Sequence, residues 1–548
     1  MEMEKREDLN SILPFLPLLI RSSNLYWPSQ AVEILRELAS GRVDSVEHLL
    51  DAISHIRNAL SLSSQFCSSS ALHGYALFLN DVMSEEESKQ FLNEVVPAFG
   101  NLLLRLPSLL EAHYENADRV IDGDGATVRT GLRILDSQEA GIVFLSQELI
   151  AALLACSVFC LFPVNDRSVR HLPLINFDGL FASMYDDYHE NLAQKVWCIV
   201  HYFQRITSDM PKGFVSFERK VLPFKNDAVH ISYPDVNFWS TSAIPLCKFE
   251  VHSSGLIEDQ TSGAVEVDFA NKYLGGGALR RGCVQEEIRF MVSPELIAGM
   301  LFLPAMADNE AIEIVGVERF SSYTGYASSF KFNGDYVDKR DVDALGRWKT
   351  RIVAIDALCS PGMRQYSTNF LLREINKAFC GFLYQSNCQQ YQKILQENGC
   401  SSVLSGAATL TSMETSEIKT SNHEIRNSQN DYDMMDQDNN NIGVATGNWG
   451  CGAFGGDPEV KTIIQWLAAS QALRPFIAYY TFGLEALLNL DEVAHWILTQ
   501  RWTIGDLWNM LIEYSTKRSK GETNVGFLRW LLPSIYSQGT GMDLAKRP

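Results

Sequence analysis

"YLGGGALRRGCVQEEIRF", residues 273–290, places three consecutive glycines and, after seven intervening residues, a glutamine and two adjacent carboxylates. Without Cβ atoms, Gly275, Gly276 and Gly277 can take positive φ and bring the backbone close to a ligand. Their N–H groups then form an anion nest, and a helix starting just downstream adds partial positive charge. A second stretch, "TGNWGCGAFGGDPEV" at 446–460, repeats the design: a glycine-rich turn between β-like sequence and a helix start. Such loops suit a diphosphate, and they serve equally as tight turns. One alone decides nothing, whereas two in one domain favour a ligand. The acids need a separate account. Adjacent Cα atoms lie about 3.8 Å apart, so Glu286 and Glu287 cannot flank a sugar from opposite faces, where the two carboxyls of a glycosidase stand roughly 5–9.5 Å apart. Burial beside a like charge would raise one carboxyl's pKa and make it a general acid near neutral pH. The commoner fate of such a pair is a solvated helix start, where acids favour the dipole.

Around this stretch, from about residue 240, short apolar runs alternate with helical ones. "AVEVDFA" alternates, with Val265, Val267 and Phe269 on one side and Glu266 and Asp268 on the other. "AIEIVGVERF", "RIVAIDAL" and "PFIAYYTFG" read as strands. "SPELIAGMLF" and "PEVKTIIQWLAAS" read as helices opened by Ser293–Pro294 and Asp457–Pro458, a cap followed by proline at the first helical position. That alternation predicts an α/β sheet with covered faces. Residues from about 29 to 205 read mostly as helix: "SQAVEILRELASGRV" ends at Gly41, Asp44 caps the next, and "NLAQKVWCIVHYFQRI" is strongly apolar. The run Leu149–Phe162 is too short to span a bilayer comfortably and reads as a buried helix capped by Ser146. "NHEIRNSQNDYDMMDQDNNN", 422–441, has almost no aliphatic residues and cannot offset its ordering entropy, so roughly 405–442 is expected to be a disordered insertion.

The 548 residues suggest roughly two to four domains. The excess of 66 Asp+Glu over 46 Lys+Arg, a formal charge of −20, excludes non-specific binding to nucleic acid or anionic membrane. Eleven cysteines without a CxxC pair argue against a zinc site or a disulfide framework. A reducing compartment fits. The acidic start "MEMEKREDLN" lacks the basic region of a secretory signal, so the chain is expected to be soluble and intracellular. No G-x-G-x-x-G with its ribose-binding acid appears, which weakens a dinucleotide-dependent oxidoreductase.

The pattern GGG, seven residues, QEE resembles the signature of the poly(ADP-ribose) glycohydrolase family. "EVDFANKYLGGG", "YTGYASSF" (Tyr323–Phe330), "ATGNWGCGAFGGD" and "YYTFG" resemble its segments in the same order, and "MPKGFVSFERK" joins them. The likeness runs from about Met210 to the C-terminus. The helical N-terminal half resembles the family's accessory domain through weaker motifs, and the 405–442 insertion matches nothing there and is expected to be dispensable. The resemblance implies an α/β fold: a macrodomain-like mixed sheet flanked by helices (206–548), preceded by an all-α accessory domain (1–205). It implies hydrolysis of ribose–ribose bonds in poly(ADP-ribose) on modified proteins, without metal or redox cofactor. By the same resemblance, Glu287 protonates the leaving 2′-oxygen, Glu286 fixes the scissile ribose, and Asp268, Asn271 and Gln285 line the pocket. Gly275–Gly277, and Asn448, Trp449, Gly450, Cys451, Gly452 and Ala453, cradle diphosphate and ribose. Ile257 and Glu258 meet the adenine edge, Tyr326 and Phe482 its ring, and Phe454 the ribose and phosphate; either ring aromatic has the core as its commoner fate. The rival reading is a non-catalytic reader of ADP-ribose, for which a buried acid pair is superfluous. A monomer that binds no nucleic acid directly, resident in nucleus and cytoplasm, is the remaining expectation.

Overall fold

The computed structural model describes residues 3–62, 69–118, 128–223, 225–226, 231–260, 263–343, 345–384 and 442–537. The expected insertion, apart from Ile442, lies outside them. The described chain forms two compact units: Met1–Lys220 with Asp268–Asp356, and Val221–Val267 with Ala357–Pro548.

In the first unit, helices dominate up to residue 208. Ser29–Ala39 ends before Gly41, which takes φ +69°. Val46–Ala59 is capped by Ser45, whose hydroxyl accepts the His48 N–H at 3.2 Å. The expected Asp44 cap is thus one residue early; Asp44 instead stands 3.5 Å from the His48 ring. Ser146 caps Gln147–Val158 by accepting the Leu149 N–H, as expected, and nearly every residue of that helix is buried. A longer segment, Glu85–Asn116, is long and apolar enough to cross a membrane, but Phe99, Leu103, Leu106 and Leu110 within it are buried in the core. The helical region also contributes a strand, Gly141–Ser146, that was not legible in the sequence. It pairs antiparallel with Phe214–Val221, and the order continues through Glu310–Val315 and Arg351–Ala354, which pair antiparallel. One apolar core joins these helices and strands, from Leu35 and Leu103 to Phe203, Phe302 and Ile352. The hairpin of Ser321–Thr324 and Lys331–Asp335 lies along the helix Glu190–Ser208. Asn191 Nδ2 donates to Ala327 O at 3.0 Å, and Phe332 N–H donates to Gln194 Oε1 at 3.1 Å.

The second unit holds four parallel strands in the order Val265–Asp268, Val444–Gly447, Phe476–Tyr480, Lys248–His252. Parallel strands carry helices on their faces. Both faces of Val265–Asp268 are accordingly buried, the acids included, so the alternation in "AVEVD" does not mark a solvated side. Asp457 caps the helix Pro458–Gln471 by accepting N–H groups of Glu459 and Val460, with Pro458 at the first position. Ser293 does not cap in this way. Its hydroxyl accepts from Arg289 Nη1 at 2.6 Å, and the segment it precedes, Pro294–Leu301, winds as a 3-10 helix.

Candidate active site

The three glycines and two glutamates form one structure. The chain turns at Gly275 (φ +85°) and Gly276 (φ +49°), then returns at 284 to start the helix Gln285–Val292. Glu286 and Glu287 sit in its first turn and reach back over the glycines. Gly275 N–H donates to Glu286 Oε1 at 2.7 Å, and Asn271 N–H to Glu286 Oε2 at 2.8 Å. Gly277 N–H donates to Glu287 Oε1 at 2.9 Å, and Val284 N–H to Glu287 Oε2 at 2.9 Å. Gly276 N–H donates to Tyr273 O at 3.0 Å. All three glycine amides therefore bond the chain itself. Bare backbone is needed for room as well: a Cβ on Gly276 would stand 2.5 Å from Glu286 Oε2 and 2.7 Å from Glu287 Oε1. The acids do occupy a helix start, but they are buried, at 3% and 7% exposure, not solvated.

Asp268 completes a cluster of three buried acids. Its side chain is 1% exposed, and neither oxygen has a hydrogen-bond partner among the described residues. Burial pushes its pKa far above the usual carboxylate range, to about 8; the Glu287 charge adds to this, and Arg289 opposes it. Burial likewise raises Glu286, reinforced by Asp268 and Glu287 and opposed by the N–H groups of Asn271 and Gly275. Like charges in low dielectric cannot all ionise together. A proton is thus retained within the cluster near neutral pH, which meets the first requirement of general-acid chemistry.

The same unit holds three more of the expected residues near this turn. Gln285 Oε1 accepts the Phe269 N–H at 2.8 Å, and Asn271 Oδ1 accepts the Tyr273 N–H at 3.0 Å, so both side chains brace the turn. Tyr326 is 54% exposed, and its hydroxyl lies against the backbone of Gln285. It is no core aromatic.

In the second unit, Asn448–Phe454 forms the other glycine loop. Asn448 is tied down: its Nδ2 donates to Thr481 O at 3.0 Å, and its Oδ1 accepts from the Tyr479 hydroxyl at 3.2 Å. Trp449 is fully buried, with Lys461 Nζ 4.0 Å from its ring centroid, and Lys461 pairs with Glu374. Gly450 (φ +72°) packs on Ala357, whose Cβ would be 2.4 Å from an added Cβ. The Cys451 N–H is taken by Asn448 O. The N–H groups of Gly450, Gly452, Ala453 and Phe454 have no partner among the described residues. The two loops, alike in sequence, therefore differ: the first fills its donors with carboxylates, and the second keeps donors open. Phe482 stands at the end of the strand Phe476–Tyr480, 48% exposed, with φ +51°. That conformation is uncommon for a bulky residue and marks a held position. Its ring lies 6.3 Å from that of Tyr480, which stacks on His252 at 4.8 Å. Ile257 and Glu258 are buried beneath the surface of this unit.

Sequence reasoning missed Lys195, whose ammonium reaches the loop Gly277–Gly282. A signal was present. On the helix Glu190–Ser208, Lys195 occupies the apolar stripe of Leu192, Val196, Ile199 and Phe203, where a charge is out of place.

Known proteins share these elements. Residues 236–489 match the family model described as poly(ADP-ribose) glycohydrolase, macro domain fold, and residues 83–219 the one described as its helical domain. The chain is 55% identical to poly(ADP-ribose) glycohydrolase 1 of Arabidopsis thaliana, over 97% of this chain and 98% of that one. It is 51% identical to the probable poly(ADP-ribose) glycohydrolase 2 of the same plant, over 97% and 100%. Poly(ADP-ribose) glycohydrolase 1 of Caenorhabditis elegans is 31% identical over 58% of this chain and 35% of its own. The chain belongs to the poly(ADP-ribose) glycohydrolase family.

Proposed function

We propose that this protein hydrolyses ribose–ribose O-glycosidic bonds of poly(ADP-ribose), releasing ADP-ribose, with Glu287 as general acid and then general base. The observation that carries this reading is the seat of Glu287: a buried carboxyl with each oxygen held by a backbone N–H, in a chain of this family. Glu287 protonates the leaving 2′-oxygen as the glycosidic bond breaks. The ribosyl cation that forms has no carboxylate opposite it from the adjacent Glu286, so the substrate's own diphosphate steadies it. Water then adds, with Glu287 taking its proton. General acid–base help of this kind contributes roughly 10²–10⁴ in rate, and positioning supplies much of the rest.

Glu286, raised in pKa and able to donate as well as accept, is assigned to the hydroxyls of the scissile ribose. The open amides of the loop Asn448–Phe454 are assigned to phosphate oxygens. The exposed rings of Tyr326 and Phe482 are assigned to the purine, and buried Ile257 and Glu258 to its edge. A non-catalytic reader of ADP-ribose would have no use for three buried acids. Residence in nucleus and cytoplasm follows from where the polymer is made; the net −20 disfavours direct contact with nucleic acid or membrane, and the anionic polymer is held by local donors against that overall field. A monomeric state completes the proposal.

The test is Glu287→Gln on labelled poly(ADP-ribose), with products separated by size. Cleavage should be abolished while ADP-ribose affinity stays within about threefold, because the amide keeps the shape and one of the two acceptors but has no transferable proton. Retained cleavage removes Glu287 from this role.

A further inference from the structure

We propose that Lys195 is a positioning residue for Glu287: its ammonium, from the helix Glu190–Ser208, fixes the Gly277–Gly282 loop, and that loop fixes the carboxyl. The inference rests on the function proposed above for the rate it predicts, and on geometry alone for the clamp.

Lys195 is fully buried. Its Nζ donates to Gly282 O at 2.6 Å and to Arg280 O at 2.8 Å, with Gly277 O at 3.4 Å. An ammonium has three donors and no acceptor, and three carbonyls from one six-residue loop converge on it. The loop is also closed on itself, by Arg280 N–H to Gly277 O at 2.9 Å and Gly282 N–H to the same oxygen at 3.1 Å. Its two ends form the seat of Glu287. Gly277 N–H bonds Oε1 at 2.9 Å, and an added Cβ on Gly282 would stand 2.6 Å from that oxygen. A shift of either end therefore shifts the carboxyl.

An apolar residue at 195 would continue the buried stripe of its helix, and burying an ammonium there is unfavourable unless it is paired and fully hydrogen-bonded. Burial lowers the Lys195 pKa to about 8, and the Cys283 and Glu287 charges oppose that fall. Lys195 is thereby suited to hold the acid in place through the loop.

The test compares wild type, Lys195→Met and Lys195→Arg in full-length protein. Three quantities are measured: kcat and KM on poly(ADP-ribose), Kd for ADP-ribose, and hydrogen exchange of a peptide spanning 274–284. Methionine fills the space without charge or donors. Its kcat should fall about 100-fold, the effect of roughly 1 Å of misplacement, with KM and Kd within about threefold. Exchange at 274–284 should accelerate at least about tenfold while peptides of the distant helix Val46–Ala59 are unchanged. Arginine keeps the charge, but a planar fork cannot serve three convergent carbonyls as a point donor does, so kcat should fall about tenfold. If Lys195→Met does not fold, Lys195→Arg decides by its own figure. Unchanged exchange at 274–284 in either folded variant, or a kcat within twofold of wild type, overturns the proposal. Accelerated exchange in a protein whose wild type does not cleave polymer would uphold the clamp and refute the proposed function instead.

Discussion

Gly276→Ala tests most of the site's construction with one methyl group. Gly276 has φ +49°, left-handed backbone that disfavours any Cβ by about 1–2 kcal/mol. The methyl would also stand 2.5 Å from Glu286 Oε2 and 2.7 Å from Glu287 Oε1, against ordinary contact from 3.4 Å. Side-chain ends usually yield, but these are pinned by the N–H groups of Asn271, Gly275, Gly277 and Val284. Clearing the contact moves a carboxylate oxygen by up to about 0.9 Å and lengthens at least one such bond, each worth about 1.5–3 kcal/mol to a charged acceptor. Together these give a stability loss of about 2.5–5 kcal/mol. A displacement near 1 Å of the acid costs on the order of 10² in rate. The assay is steady-state release of ADP-ribose from labelled polymer, with thermal unfolding alongside. Gly334→Ala is the control, because it has φ +86° and open space where the methyl goes; it should show backbone strain alone and near-normal kcat. A Gly276→Ala protein with kcat within threefold of wild type would refute the claim that these glycines exist to admit the carboxylates.

Two further outcomes follow from burial and charge. Asp268 has a folded-state pKa raised from 3.8 to about 8, so between about pH 4 and 8 the folded chain holds a proton that the unfolded chain has released. More protons in the folded state means stability falls as pH rises through that window. Asp268→Asn removes this slope, so its melting temperature should match wild type near pH 4 and exceed it increasingly towards pH 8; a gap that narrows with pH would contradict the sign. Phe482 is half exposed, so Phe482→Ala should leave the melting temperature almost unchanged, and loss of base stacking worth about 1–3 kcal/mol should raise KM roughly 5- to 150-fold. An unaltered KM would remove Phe482 from the purine.

Local signals in the sequence were reliable where one residue and its near neighbours settle the structure. Ser146 and Asp457 cap as read, because a hydroxyl or carboxylate two or three residues from an orphan N–H needs nothing else. Ser293 failed because it also ends the preceding helix, where Arg289, one turn back, donates to its hydroxyl. The strand Gly141–Ser146 was missed because six residues running directly into a helix show too little periodicity to stand apart. At the candidate site, the GGG and QEE spacing marked the glycine turn and the acids that meet it, but how the parts fit was hidden. The glycine amides turn inward to two carboxylates, which depends on the chain folding back between 275 and 287. In the second loop, similar in composition, Asp457 caps the following helix and Glu459 accepts the Leu528 N–H, so neither acid fills the loop's open amides. Lys195 contacts a loop more than eighty residues downstream, and only its place in an apolar stripe hinted at that.

The most direct measurement is a structure of the protein with ADP-ribose bound. The account predicts a Glu287 oxygen within hydrogen-bonding reach, about 2.6–3.2 Å, of the terminal ribose or of one bridging water, with the Gly277 and Val284 N–H bonds to that carboxyl intact. A terminal ribose placed well beyond that reach, with the carboxyl still pinned by both amides, would contradict it.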